Sequence, residues 1–192
     1  MCGEQQPVLG GEGLRLRRFQ HDDVEALWQA GQAEDIGRYT SIAWPFTRAA
    51  AELLIAEAEA GWQAGSMARF AIVGMPEERV VGTVSLLHIY TERGDAEVGY
   101  WLGVAGRGRG LARRAVALIC DWAFQSLGLQ RLHLMADLDN EASQAVALAC
   151  GFVLVGEVFW EHPTDRSKDA VCLLYERLGD GEVDTRRAEV QG

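Results

Sequence analysis

Concentrated positive charge is the first thing this chain lacks. Lysine and arginine number 18 against 28 aspartate and glutamate residues, and Lys168 is the sole lysine. Neutralising a phosphate backbone needs a dense basic face, so a formal charge of −10 argues against nucleic-acid binding and favours cationic partners. Cysteine is thin as well. Cys2, Cys120, Cys150 and Cys172 form no CxxC pair and have no histidine at zinc-ligand spacing, which leaves neither a disulfide frame nor a metal site. They read as apolar thiols for burial. Nowhere do some twenty apolar residues run without a charge, and the first residues hold no signal-peptide core, so the chain reads as cytoplasmic and free of membrane contact.

What is present is enough for a folded enzyme. A hydrophobic content of 48% over 192 residues supplies a core without cross-links, and no linker or internal repeat divides the chain. The expected layout is one domain over residues 14–178, between a Gly-rich tail at 1–13 and a charged tail at 179–192. Leu14, Leu16 and Phe19 interleave with arginines as a first strand. Asp22 or Asp23 then caps a helix bearing Val24, Leu27 and Trp28, whereas residues 35–46 read as irregular because Pro45 pushes Trp44 out of helical geometry. Thr47 restarts a helix with Leu53, Leu54 and Ala58 on one side and Gly65 as its stop. Strand patterns at 70–73, 80–89 and 96–104 follow. Beyond a run of glycines, Leu111, Ala115, Leu118, Ile119 and Trp122 define a strongly amphipathic helix. A strand at 131–136, a short helix at 141–149 ended by Gly151, and strands at 153–160 and 171–175 complete the pattern.

The segment from Val104 to Ala112, VAGRGRGLA, stands where a strand hands over to a helix N-terminus. Glycines let the backbone approach a ligand, successive N–H groups converge, and the helix dipole adds roughly half a positive charge, so the segment suits a diphosphate. Arg107, Arg109, Arg113 and Arg114 reinforce that field. A Walker loop would need Gly-Lys-Ser/Thr, which is absent, and a dinucleotide fingerprint read from Gly106 meets Leu111 where its third glycine belongs. A plain Gly-rich turn is the remaining alternative, and neighbouring motifs must decide.

With those neighbours, the chain resembles the GNAT superfamily of acyl-CoA-dependent N-acetyltransferases. The superfamily's phosphate loop reads Gln/Arg-x-x-Gly-x-Gly/Ala, matched in order by Arg107, Gly110 and Ala112. Glu97-Val98-Gly99-Tyr100-Trp101-Leu102 resembles the fourth strand of the ribosomal-protein alanine acetyltransferase, RimJ/RimL-like, branch. Asn140-x-x-Ser143 followed by Gly151-Phe152 keeps that branch's spacing, and the likeness extends over residues 14–178. It implies an α/β (α+β) fold with a mixed, mostly antiparallel central sheet flanked by helices. In such a fold the fourth and fifth strands, here 97–104 and 131–136, splay apart to admit the pantetheine arm. It also implies acetyl-CoA as cosubstrate without a metal, held by Leu102, Val104, Arg107, Gly108, Arg109, Gly110, Leu111, Ala112, Asn140 and Ser143.

The chemistry needs a base for the amine, support for an oxyanion and an acid for the departing thiolate. A free α-amine titrates near 7.7–8.0 and a lysine amine near 10.4, so the former asks less of its base. Glu97 matches the position of the base in several relatives; the alternative is a carboxylate that only binds substrate or pairs with an arginine. The resemblance gives Ser143 the thiolate and Asn140 the orientation of CoA, yet both residue types are also good helix N-caps. Many superfamily members use a tyrosine acid near this helix, and none stands between Asn140 and Phe152. Trp44, Glu161 and His162 are candidates for touching the acceptor. His88, His133, Trp62, Trp101 and Trp160 read as packing or pocket wall. The expected acceptor is a primary amine, foremost a protein or peptide N-terminus. A small amine such as a polyamine, amino acid or aminoglycoside is the alternative, and a non-catalytic acyl-CoA sensor a third reading. Nothing in the residues separates a monomer from a homodimer.

Overall fold

A computed structural model describes residues 5–161 and 169–179. The chain runs through β1 (Leu9–Gly11), β2 (Leu14–Arg17), α1 (Val24–Ala30), α2 (Glu34–Tyr39), α3 (Arg48–Ala64), β3 (Ala68–Gly74) and β4 (Arg79–Tyr90). It continues through β5 (Asp95–Leu102), α4 (Leu111–Gln125), β6 (Arg131–Asp137), α5 (Glu141–Ala149), β7 (Val153–Trp160) and β8 (Ala170–Leu178). All eight strands join one sheet in the order β1-β2-β3-β4-β5-β6-β8-β7. Every neighbouring pair is antiparallel except β5 and β6.

Side-chain alternation along the strands builds a core on each face. Phe70, Ile72, Val84, Leu86 and Val98 pack with Leu111, Ala115 and Ile119 of α4. On the opposite face, Ala71, Val73 and Trp101 pack with Leu27 of α1 and with Ala51, Leu54 and Ala58 of α3. Trp62, near the end of α3, stacks on Trp122 of α4 at 6.2 Å between ring centroids and so ties the two layers together. The helix ends follow local chemistry. The Thr47 side chain accepts from the Ala50 N–H, and Gly65 stops α3 at a φ of 70° that most residues avoid.

Four expectations need correction. Leu9–Gly11 is no tail, because it pairs with β2, and the splayed strands therefore count as fifth and sixth in this chain. Residues 34–39 form a helix; six residues make too few turns to display a period, and tertiary contacts hold the buried Ile36 in place. Asp23 stands at the N-cap position of α1 but its side chain caps no N–H of that helix, since its carboxylate takes both Arg17 guanidinium nitrogens at 2.6 and 2.9 Å and, closing a capping box on the preceding turn, the Gln20 N–H at 2.7 Å. Leu53 is 59% exposed, whereas Leu54 and Ala58 are buried as expected. Residues 180–192, most of the expected charged tail, lie outside the described residues.

Candidate active site

β5 and β6 pair over only three positions, Asp95 with Arg131, Ala96 with Leu132 and Glu97 with His133. Beyond Glu97 their facing edges part, leaving backbone donors and acceptors without strand partners along a cleft. The cleft has a volume of about 690 Å³ and runs from the start of α4, between β5 and β6, to the face covered by α1–α3.

At one end lies the glycine-rich loop. Gly108 and Gly110 hold φ values of 71° and 69°, and Gly110 caps α4. The backbone N–H groups from Gly108 to Arg113 find no carbonyl within the described protein, so a row of donors converges on the cleft at a helix N-terminus. Leu102, Gly108, Gly110, Leu111 and Ala112 line this end. That donor set fits a diphosphate.

The loop arginines are not equivalent. Arg107 grips Asp35 of α2 with both guanidinium nitrogens at 2.7 and 3.0 Å and donates to the Leu102 carbonyl at 2.9 Å. With the Arg38–Asp139 ion pair, this contact pins α2 over the cleft. Arg109 turns to the Met75 carbonyl at 2.5 Å and does not line the cleft, and neither does Val104, which is 72% exposed. Arg107 and Arg113 do line it.

In the middle of the cleft, Glu97 sits at the point where the strands separate. Burial pushes its carboxyl above the usual range, and the imidazole of His88 pulls the other way. His88, held at a φ of 50° on the bulge of β4, and His133 share with Glu97 a second cavity of about 300 Å³. Across the cleft, Asn140 caps α5 by accepting the Ser143 N–H at 3.1 Å. The Tyr100 hydroxyl donates to Ser143 Oγ at 3.2 Å, and burial raises the Tyr100 pKa. A tyrosine therefore stands at this helix after all, reaching it from β5. No sequence signal pairs the two, because 43 residues separate them.

The expected acceptor contacts fare unevenly. Trp44 packs over Gly37 of α2, outside the lining, while Trp160 lines the cleft in its place. Glu161 is exposed and outside the lining, and His162 lies outside the described residues. Cys172 also lines the cleft, but its thiol is pushed up to about 12 by burial and by Asp137, which leaves it a poor nucleophile. Among the described residues no cluster of histidine, cysteine or carboxylate side chains is arranged to hold a metal.

A sheet opened between two parallel strands, with free N–H groups at one mouth and a carboxylate at the parting point, defines an acyl-CoA-dependent transferase. The GNAT acetyltransferase domain model matches residues 13–153, and the chain belongs to that family. It is 32% identical to the uncharacterized N-acetyltransferase p20 of Bacillus licheniformis over 137 residues, 71% of this chain and 76% of that protein. The ribosomal-protein-serine acetyltransferase of Escherichia coli is 34% identical over 80 residues, 42% of this chain and 45% of that protein. In fold, RimL, a ribosomal L7/L12 α-N-protein acetyltransferase solved with coenzyme A, superposes with a TM-score of 0.77 at 22% identity, covering 92% of this chain and 100% of that one. The protein is an acetyl-CoA-dependent N-acetyltransferase.

Proposed function

We propose that this enzyme acetylates the N-terminal amine of a peptide or protein by direct transfer, with Glu97 as base and the Tyr100–Ser143 pair on the acid side. The observation that carries the proposal is the convergence of Glu97, Tyr100, Ser143 and the loop's free N–H groups on one cleft. The Gly108–Ala112 backbone holds the diphosphate of acetyl-CoA and directs its thioester to the parting of β5 and β6. Glu97 takes the proton from the acceptor ammonium, and the freed amine nitrogen attacks the thioester carbonyl. The C–N bond forms and the C–S bond breaks; the attacking nitrogen sheds its second proton to solvent as the amide forms, while Ser143, backed by the Tyr100 hydroxyl, gives its proton to the thiolate and is reprotonated from solvent. A carboxyl raised by burial suits this work, because a base is most effective when its pKa lies near the working pH. The likeness to the Escherichia coli enzyme, whose name assigns it ribosomal-protein serine, supports a protein acceptor.

Incubating the enzyme with acetyl-CoA and peptides bearing free or blocked N-termini tests this reading. Mass spectrometry should locate one acetyl group on the α-nitrogen of the free peptides, with matching thiol release. Acetylation confined to polyamines or aminoglycosides would move the acceptor to the small-amine class. CoA binding without thiol release would make the chain a sensor.

A further inference from the structure

Arg69 is a buried charge that the transfer chemistry does not use. It lies on β3 in register with Ser85 of β4, which is in turn in register with Gly99 of β5. The alternation of side chains therefore puts Arg69, Ser85, Thr83, Glu97 and Trp101 on the same face of the sheet. That face is covered by α1–α3, whereas the glycine-rich loop opens α4, which packs on the other. Arg69 thus stands on the face opposite the glycine-rich loop, away from the diphosphate.

Its side chain is only 17% exposed and lines the cleft. Nε donates to Ser85 Oγ at 3.2 Å. The nearest carboxylate, Glu57, is 55% exposed and 3.9 Å from Nη1, beyond hydrogen-bond range. Among the described residues the two Nη groups donate to nothing, although desolvation already lowers the pKa of this guanidinium. A planar, charged fork lining a pocket with its Nη donors unspent is the arrangement that takes a carboxylate in two parallel hydrogen bonds. Two strand spacings and a two-residue rise separate the Cα atoms of Arg69 and Glu97, about 12 Å, and both residues line the cleft.

Resting on the amine-acceptor reading above, we infer that Arg69 anchors a carboxylate of the acceptor while Glu97 receives its amine. The carboxylate has two sources: the α-carboxylate of an amino acid or dipeptide, or an acidic side chain just after the N-terminus of a longer peptide. Four probes separate them: the dipeptide Ala-Ala, and C-terminally amidated Ala-Ala, Ala-Glu-Ala and Ala-Lys-Ala. One of the two carboxylate-bearing probes should exceed both peptides lacking a carboxylate by about tenfold or more in kcat/KM, through KM, and which one does identifies the source.

R69Q should abolish that preference by raising KM for the favoured probe, with CoA affinity in calorimetry unchanged. E57Q should keep the preference, because Glu57 competes with the ligand for Arg69 and does not hold it. Equal turnover of the favoured probe and its uncharged counterparts would overturn the anchor while leaving the transferase reading in place. So would an R69Q enzyme that slows on all four probes alike, or a matched loss of thermal stability in R69Q and E57Q with preference intact, since either marks a structural ion pair. Absence of acetyl transfer to every probe would overturn the peptide-acceptor reading beneath it and the anchor together.

Discussion

At the scale of single residues, the site depends on where burial and hydrogen bonds set proton affinities. The base works unprotonated, and burial raises the Glu97 carboxyl. Turnover should therefore fall as pH drops through a midpoint above the ordinary glutamate value of about 4.3. Glu97→Gln should remove that limb and lower kcat by about 10²-fold while CoA binds as before, a result that rate profiles and calorimetry check together. On the acid side, Tyr100 and Ser143 are joined by one hydrogen bond and should act as a unit. Tyr100→Phe and Ser143→Ala should each cost about tenfold or more in kcat, with the double variant little worse than the poorer single one. Fully additive losses would separate the two roles. Glu97, Asn140 and Ser143, which line the cleft, could be singled out in the sequence because local motifs carry them. Tyr100 lay inside the recognised strand motif, yet its contact with Ser143 was hidden because the two are brought together only by the fold. Arg69 was hidden for a related reason: one arginine at a strand start looks like any surface charge until the register with Ser85 and the cover of α3 are known.

At the scale of elements, the handover from β5 to α4 is the part most exposed to small changes. Gly110 sits at a φ of 69°, a region that β-branched residues strongly avoid, and its N–H belongs to the row of free donors. Gly110→Val should therefore weaken CoA binding by about tenfold or more in calorimetry, and unchanged affinity would put the diphosphate elsewhere. Gly103 has a different constraint: a Cβ there would meet the Ala30 carbonyl oxygen at 2.4 Å, because the loop rests against the end of α1. Gly103→Ala should lower Tm by about 4 °C or more in calorimetric melting. The long periodic elements, α3, α4 and β3–β6, were readable from apolar spacing. β1 and α2 were not, since three and six residues hold too little pattern, and each exists through partners that sequence does not identify. For α2 those partners include Arg107 and Asp139. Arg107 was read as a phosphate ligand from its motif; it lines the cleft, and its guanidinium also holds α2 through Asp35, a contact that no motif announces.

At the scale of the whole molecule, a charge of −10 attracts cations from solution, whereas the acceptor wall presents a buried cation. The two act over different distances. Steering by net charge is screened beyond about 8 Å at physiological salt, and a desolvated contact far less. The KM of a lysine-bearing peptide should thus climb with ionic strength, while that of an acidic, net-neutral peptide changes less; parallel slopes would refute steering by the protein's charge. The central claim is that the parting of β5 and β6 is a transfer site driven by Glu97. Its most direct test is kcat for acetylation of a free peptide N-terminus across pH, measured side by side for the parent enzyme and Glu97→Gln at saturating acetyl-CoA. The account predicts a rate lowered by about 10²-fold and loss of the acid limb that belongs to the raised carboxyl. An unchanged rate and profile in the glutamine variant would contradict it.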